Sequence, residues 1–231
     1  MQRINNDLHI VPALWPKGQT GAVSGDIISM KNYQHCDIRI AVGASPGGTV
    51  AVTLDKSAAV AAATAELAFT KFFSSGLKLN ITGKSGAFTA DSDYTAGDTI
   101  TGGTSNATAV VYSDMGTYLL CHSHNGTAFT DAETITGGTS GATATVDGTL
   151  YDEDIMLPRV TASATTYTFT IPAVADQVYV IPVGASDLGD GYNCLQLEMA
   201  APSAGTVTYD ATYILSGPRY AGTPMPTAIY D

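Results

Sequence analysis

The chain has 231 residues, and its 10 Lys and Arg stand against 21 Asp and Glu, a formal net charge of −11. That field repels a phosphate backbone, and the arginines (Arg3, Arg39, Arg159, Arg219) are scattered, which speaks against direct nucleic-acid binding and against docking to an anionic membrane. Charged residues make up only 13%, about half the usual share. The polar surface must therefore come from Thr, Ser, Asn and Gly, a composition suited to broad protein contacts.

The length allows one large β domain, or a medium domain plus a small one. Cys36, Cys121 and Cys194 are odd in number and unpatterned in spacing, so they form neither a disulfide framework nor a zinc knuckle. They read as reduced, buried small hydrophobes in a chain assembled in a reducing cytoplasm. The opening MQRINNDLHIVPALWP has no continuous apolar core of signal-peptide length. The most apolar stretch, 58–69, is broken by Thr64 and Glu66 and is too short to span a bilayer.

Residues 1–22 read as an extended arm: Pro12 and Pro16 restrict the backbone, and Gly18 and Gly21 punctuate it. Leu8, Ile10, Val11, Leu14 and the sole tryptophan, Trp15, load the arm with apolar groups that need covering, by the chain's own body or by a neighbouring subunit. From Asp26 the pattern turns strand-like. Residues 26–30 form a short apolar strand. Residues 36–42 (CDIRIAV) alternate, with Cys36, Ile38, Ile40 and Val42 on one face, and 49–54 (TVAVTL) return after the Ser45-Pro46-Gly47-Gly48 turn. The Ala-rich segment from Ser57 predicts a short helix capped by Ser57. Residues 77–82 alternate again as a strand.

An internal repeat follows. DTITGGTSNATAVV (98–111) recurs as ETITGGTSGATATV (133–146) at an offset of 35 residues, with Tyr94 falling on Phe129. Each copy holds a Thr/Ile strand, a Gly-Gly turn and a Thr/Ala/Val strand, and TYLLC (117–121) lies between them as a further strand. Two copies are too few for a solenoid, so 86–149 reads as an inserted small β domain. Strands resume at 167–171, at 177–183 with Pro182 marking an edge or strand end, at 194–199, and at 206–215. The resulting expectation is a mainly β protein. An antiparallel, jelly-roll-like β-sandwich (23–85 with 150–219) carries the inserted domain of two related hairpin repeats, and 220–231 form a tail.

No set of residues carries chemistry. Cys121-His122-Ser123-His124 places two histidines at i, i+2, but no third metal ligand stands at a characteristic spacing. Asp91, Asp93 and Asp98 offer hard oxygens without the EF-hand pattern, and 151–154 (YDED) reads as a solvated acidic loop. The glycine pairs lack a following lysine and so are turns rather than phosphate loops. Catalytic, cofactor and metal sites are all expected to be absent. The candidate protein-contact residues are Leu8, Ile10, Val11, Leu14, Trp15, Arg219 and Tyr220.

The repeat, most fully 126–146, resembles modules of tailed-phage structural proteins. The flanking DIISM (26–30), AVTLD (51–55), AELAF (65–69) and YILSGPRY (213–220) resemble capsid decoration, or cement, proteins of tailed phages. The resemblance implies a protein made in the bacterial host cytoplasm and placed on the outer capsid surface of the virion. It also implies homotrimers that brace neighbouring subunits of the major capsid protein, without a cofactor or catalytic residues. The repeat is similar to tail and fibre pieces as well. That likeness, with the 12 tyrosines of the whole chain, leaves open a tail or fibre component with a host-surface or glycan-binding role.

Overall fold

The computed structural model describes residues 8–43, 48–61, 65–85, 94–148, 152–171 and 177–219. In chain order the strands are β1 (Leu8–Gln19), β2 (Val23–Ser24), β3 (Ile28–Ser29), β4 (Tyr33–Val42), β5 (Gly48–Ser57), β6 (Ala65–Glu66), β7 (Phe69–Ser85), β8 (Thr99–Gly102) and β9 (Thr108–Asp114). They continue as β10 (Tyr118–His122), β11 (Thr134–Gly137), β12 (Thr143–Val146), β13 (Asp152–Ala164), β14 (Thr166–Ile171), β15 (Gln177–Gly184), β16 (Cys194–Met199) and β17 (Val207–Pro218). One turn of 3₁₀ helix spans Ala185–Leu188. The chain separates into two compact units. One comprises Met1–Phe73, Pro158–Ile171 and Val178–Asp231, and the other Ser74–Leu157 and Pro172–Gln177.

The first unit is a jelly-roll-like sandwich. One sheet runs β1-β17-β4-β15 and the other β14-β5-β16-β2, with β3 also on β16. Counting β2 and β3 as one interrupted strand, the first strand pairs with the last, the second with the seventh, the third with the sixth and the fourth with the fifth. This is the order that results when one long two-stranded ribbon wraps into two sheets. Period-2 patterning sets the faces. Cys36, Ile38, Ile40 and Val42 on β4, Val50, Val52 and Leu54 on β5, and Val207, Tyr209, Ala211, Tyr213 and Leu215 on β17 all point inward into one core.

The second unit is a closed six-stranded barrel. Following hydrogen-bonded neighbours around it gives β7-β10-β9-β8-β11-β12 and back to β7, and every one of these pairings is antiparallel. Closure removes free sheet edges. Its separate core takes equivalent residues from both repeats: Tyr94 with Phe129, Ile100 with Ile135, Ala107 with Ala142, Ala109 with Ala144 and Val111 with Val146. Thr101 on β8 lies directly opposite its own counterpart Thr136 on β11. The two hairpins are thus related by a local two-fold through that pair.

Three expectations are corrected. The Ala-rich segment is not a helix in its described residues. Residues 58–61 are bends and turns, and the chain re-enters a sheet at Ala65–Glu66. Helix propensity is worth tenths of a kcal/mol per residue, and it yields to burial of Phe69 and Phe72 in the sandwich core. Residues 152–154 of the acidic run belong to β13 rather than to a loop. Pro182 marks the end of β15 but not an edge, since β15 lies between β4 and β7.

Candidate interaction surface on the first strand

The apolar N-terminal residues divide between core and solvent. β1 pairs antiparallel with β17, with Leu8 opposite Ser216, Ile10 opposite Ile214, Val11 opposite Tyr213 and Leu14 opposite Ala211. Val11 and Leu14 enter the sandwich core. Leu8 is half-buried, and the neighbouring His9 ring meets the Tyr33 hydroxyl at 2.8 Å. Ile10 and Trp15 point outward, 54% and 76% exposed.

Trp15 is displayed by irregularity in the strand. The register with β17 shifts between Pro12 and Leu14 and again between Leu14 and Lys17, so Trp15 and Pro16 have no residue opposite them. Bulges of this kind twist a strand and re-aim a side chain. Together with Pro12 and Pro16, which offer no N–H, they also blunt β1 as a template for edge-to-edge pairing. Half-buried Ile214 lies opposite Ile10, whereas Asp210, ion-paired with Arg39 at 3.1 Å, falls at the bulge beside Trp15 and Pro16. Trp15 stands five residues beyond Ile10, roughly 16 Å away at strand rise. Arg219 is exposed beyond the Leu8 end of the strand pair, where its N–H donates to the Asn32 carbonyl at 2.9 Å. Tyr220 lies outside the described residues.

The other sequence candidates take structural parts. The two histidines do not share a strand face, because β10 ends at His122 and Ser123 adopts a positive φ of 53°. Both rings are buried. His122 Nδ1 meets Ser123 Oγ at 2.8 Å, and His124 Nε2 meets the Thr127 carbonyl at 2.7 Å while stacking on Phe129. Asp91 and Asp93 lie outside the described residues. Among the described residues no group of three or more His, Cys, Asp or Glu is placed to hold a metal ion. The three cysteines are buried and free. Burial raises the Cys36, Cys121 and Cys194 thiols, which keeps them poor nucleophiles. An open groove of about 880 Å³ lies on the sandwich, lined among others by His35, Asp37, Phe69, Lys71, Pro182 and Ser216. Burial raises the Asp37 carboxyl there, with His35 opposing it. No helix among the described residues is long and apolar enough to cross a membrane.

Asp98 and Glu133 were not legible as a pair from their chemistry. Each is buried, 2% and 4% exposed, and each caps the Gly-Gly-Thr-Ser loop of the other repeat. Burial raises both carboxyls, but hydrogen bonds to the charged form outweigh it and hold both below their ordinary values. The donors are Ser140, Thr139 and Thr99 for Asp98, and Ser105, Thr130 and Thr104 for Glu133. The available signal was positional, an acid at the same place in both copies.

No family model matches the chain, and no curated protein matches it. Among solved structures, it is similar to a point mutant of the VP2 protein of infectious bursal disease virus in derived T=1 particles. That match has 8% identity over 93% of this chain and 79% of that one, with a TM-score of 0.20. A second structure of such T=1 particles gives 8% identity over 93% and 78%, with a TM-score of 0.18. Similarity of this order fixes neither fold nor function.

Proposed function

We propose that the chain is a structural virion protein that binds the outer surface of an assembled capsid and stabilises contacts between major capsid protein subunits. The observation that carries this reading is Trp15. It is 76% exposed, held out by a bulged edge strand, on a chain with only 13% charged residues. Tryptophan is a typical anchor of protein interfaces. Covering its exposed part is worth about 3–4 kcal/mol at 25 cal/mol per Å² of a ~200 Å² side chain, before the costs of association. Ile10 is exposed on the same strand and Arg219 is exposed beyond its Leu8 end, and Tyr220 joins them as a candidate contact on the sequence alone. The likeness of the flanking segments to capsid decoration proteins supports the same placing. A protein that binds only the assembled shell stabilises that state by mass action, and many symmetric copies, such as homotrimers, multiply a modest contact.

The test is binding of purified chain to heads that lack it, followed by sedimentation and imaging of the particles. Wild type is expected to co-sediment and show density on the outer head, and Trp15→Ala to bind at least tenfold more weakly with its melting temperature unchanged. Equal binding by Trp15→Ala, or density confined to the tail, would refute the reading. The latter result would favour a tail or fibre role.

A further inference from the structure

We propose that each Gly-Gly-Thr-Ser loop of the barrel is a carboxylate receptor, and that the ligand it is shaped to hold is the acid that opens another repeat of the same kind. The first loop closes on Glu133. Thr104 N–H and Ser105 N–H donate to Oε2 at 3.1 and 2.9 Å, and Ser105 Oγ donates to Oε1 at 2.7 Å. The second closes on Asp98. Thr139 N–H donates to Oδ1 at 2.8 Å, Ser140 N–H to Oδ2 at 3.3 Å, and the Ser140 hydroxyl also to Oδ2. All of these groups correspond at the 35-residue offset, so the same two N–H groups and one O–H bind an anion twice. Successive backbone N–H groups turned toward one point form an anion-binding concavity, and bonds to a charged acceptor are the strong ones.

Three further observations separate a receptor from an incidental contact. The loops accept acids of different length, Asp in one and Glu in the other, so the loop supplies the specificity and the ligand is a carboxylate rather than one particular side chain. The glycines make room for it. A Cβ on Gly102 would lie 2.7 Å from both Glu133 oxygens, and one on Gly137 would collide with the Asp98 carboxylate. Each loop is also fixed in place by a bond to the other repeat's first strand, Gly103 N–H to the Thr134 carbonyl at 2.9 Å and Gly138 N–H to the Thr99 carbonyl at 2.8 Å. Every repeat thus offers one ligand and one receptor, and two repeats satisfy each other about a two-fold. The partner that the loop fits is a second repeat of this sequence, and the covalent link between the copies is incidental to the recognition.

The test uses the full chain. Glu133→Ala and Asp98→Ala each empty one receptor without touching its loop. Both are expected to melt about 5–10 °C below wild type. Sodium formate or acetate is expected to recover at least half of that loss in a saturating manner, with no such gain for wild type, whose receptors are filled. Sodium chloride at equal ionic strength and neutral acetamide should give no recovery. Equal shifts of variant and wild type with formate, or equal recovery by acetamide, would overturn the proposal. Should the alanine variants fail to fold, Glu133→Gln keeps the shape and removes the charge. Melting within about 3 °C of wild type, less than one lost charge-assisted bond should cost, would overturn it too, and any larger loss would support it.

Discussion

Two tyrosines on β17 should respond in opposite directions to the same one-atom change. The fully buried Tyr213 hydroxyl accepts from Leu197 N–H at 2.8 Å and donates to the Asp26 carbonyl at 3.1 Å. It thereby spans from one sheet to the other, and it fills the place where the partner of β16 is interrupted between β2 and β3. Tyr213→Phe keeps the ring and strands the Leu197 N–H. Leaving a buried donor unsatisfied costs about 1–3 kcal/mol, while the carbonyl of exposed Asp26 regains water. A loss of about 2 kcal/mol follows, about 4–8 °C in a domain of this size. The Tyr209 hydroxyl is equally buried but finds no partner among the described residues, so Tyr209→Phe removes a desolvated group and should gain up to about 1 kcal/mol. Urea unfolding followed by circular dichroism measures both, with unchanged m-values showing that two-state behaviour persists. Shifts of the same sign and size in the two variants would refute the reasoning, because only the hydrogen-bond inventory distinguishes them.

Ala132 sits at φ 60° where its counterpart in the first repeat is Gly97 at φ 90°. Left-handed backbone costs a non-glycine residue about 1 kcal/mol, so Ala132→Gly should raise the urea midpoint despite the glycine's extra unfolded-state entropy, and a lowered midpoint would show the strain is not there. The carboxylates give a pH signature of both signs. Asp98 and Glu133 are held below their unfolded values of about 3.9 and 4.3, so their contribution is complete above those values and is lost as pH falls through the lower folded ones. Asp55 behaves oppositely. Burial, then Glu198, then Glu66 raise its carboxyl, so it favours the fold below the usual carboxylate range and penalises it once pH passes its raised value. Asp55→Asn should therefore be more stable than wild type at pH 7 and lose that advantage toward pH 4, as denaturant midpoints at the two pH values will show.

The sandwich strands were readable because period-2 burial leaves its mark on a single strand. Cys36 to Val42 and Cys194 to Met199 state their inward faces without reference to any partner. The segment after Ser57 misled for the converse reason. Alanine reports a local preference, whereas Phe69 and Phe72 are drawn into the sandwich core, Phe72 through contacts with Tyr167 and Phe169 almost a hundred residues away. The candidate contact residues were legible as an apolar load but not in their division. Whether Val11 or Trp15 faces the core depends on a register shift against β17, and a one-residue slip exchanges the two faces of a strand. The repeat was visible as a period, whereas the exchange of Asp98 and Glu133 was not, since self-similarity shows that two copies exist and is silent on how they pair.

The place of the repeat in the chain has a physical reason that follows from the pairing of the sandwich. When one ribbon wraps into two sheets, its fourth and fifth strands are joined at the closed end of the ribbon, and here those strands are β5 and β14, paired from Thr166 opposite Thr53 to Ile171 opposite Gly48. A chain leaving β5 must return beside its point of departure, and the insertion meets that demand by departing along β7 and coming back along β13, which pairs with it. A closed barrel suits such a site because it brings its own core and leaves no free edge among its six strands. The same demand elsewhere would be harder to meet. A module placed between β16 and β17 would separate strands that belong to different sheets, and its closure entropy would fall on the core that Tyr213 pins together.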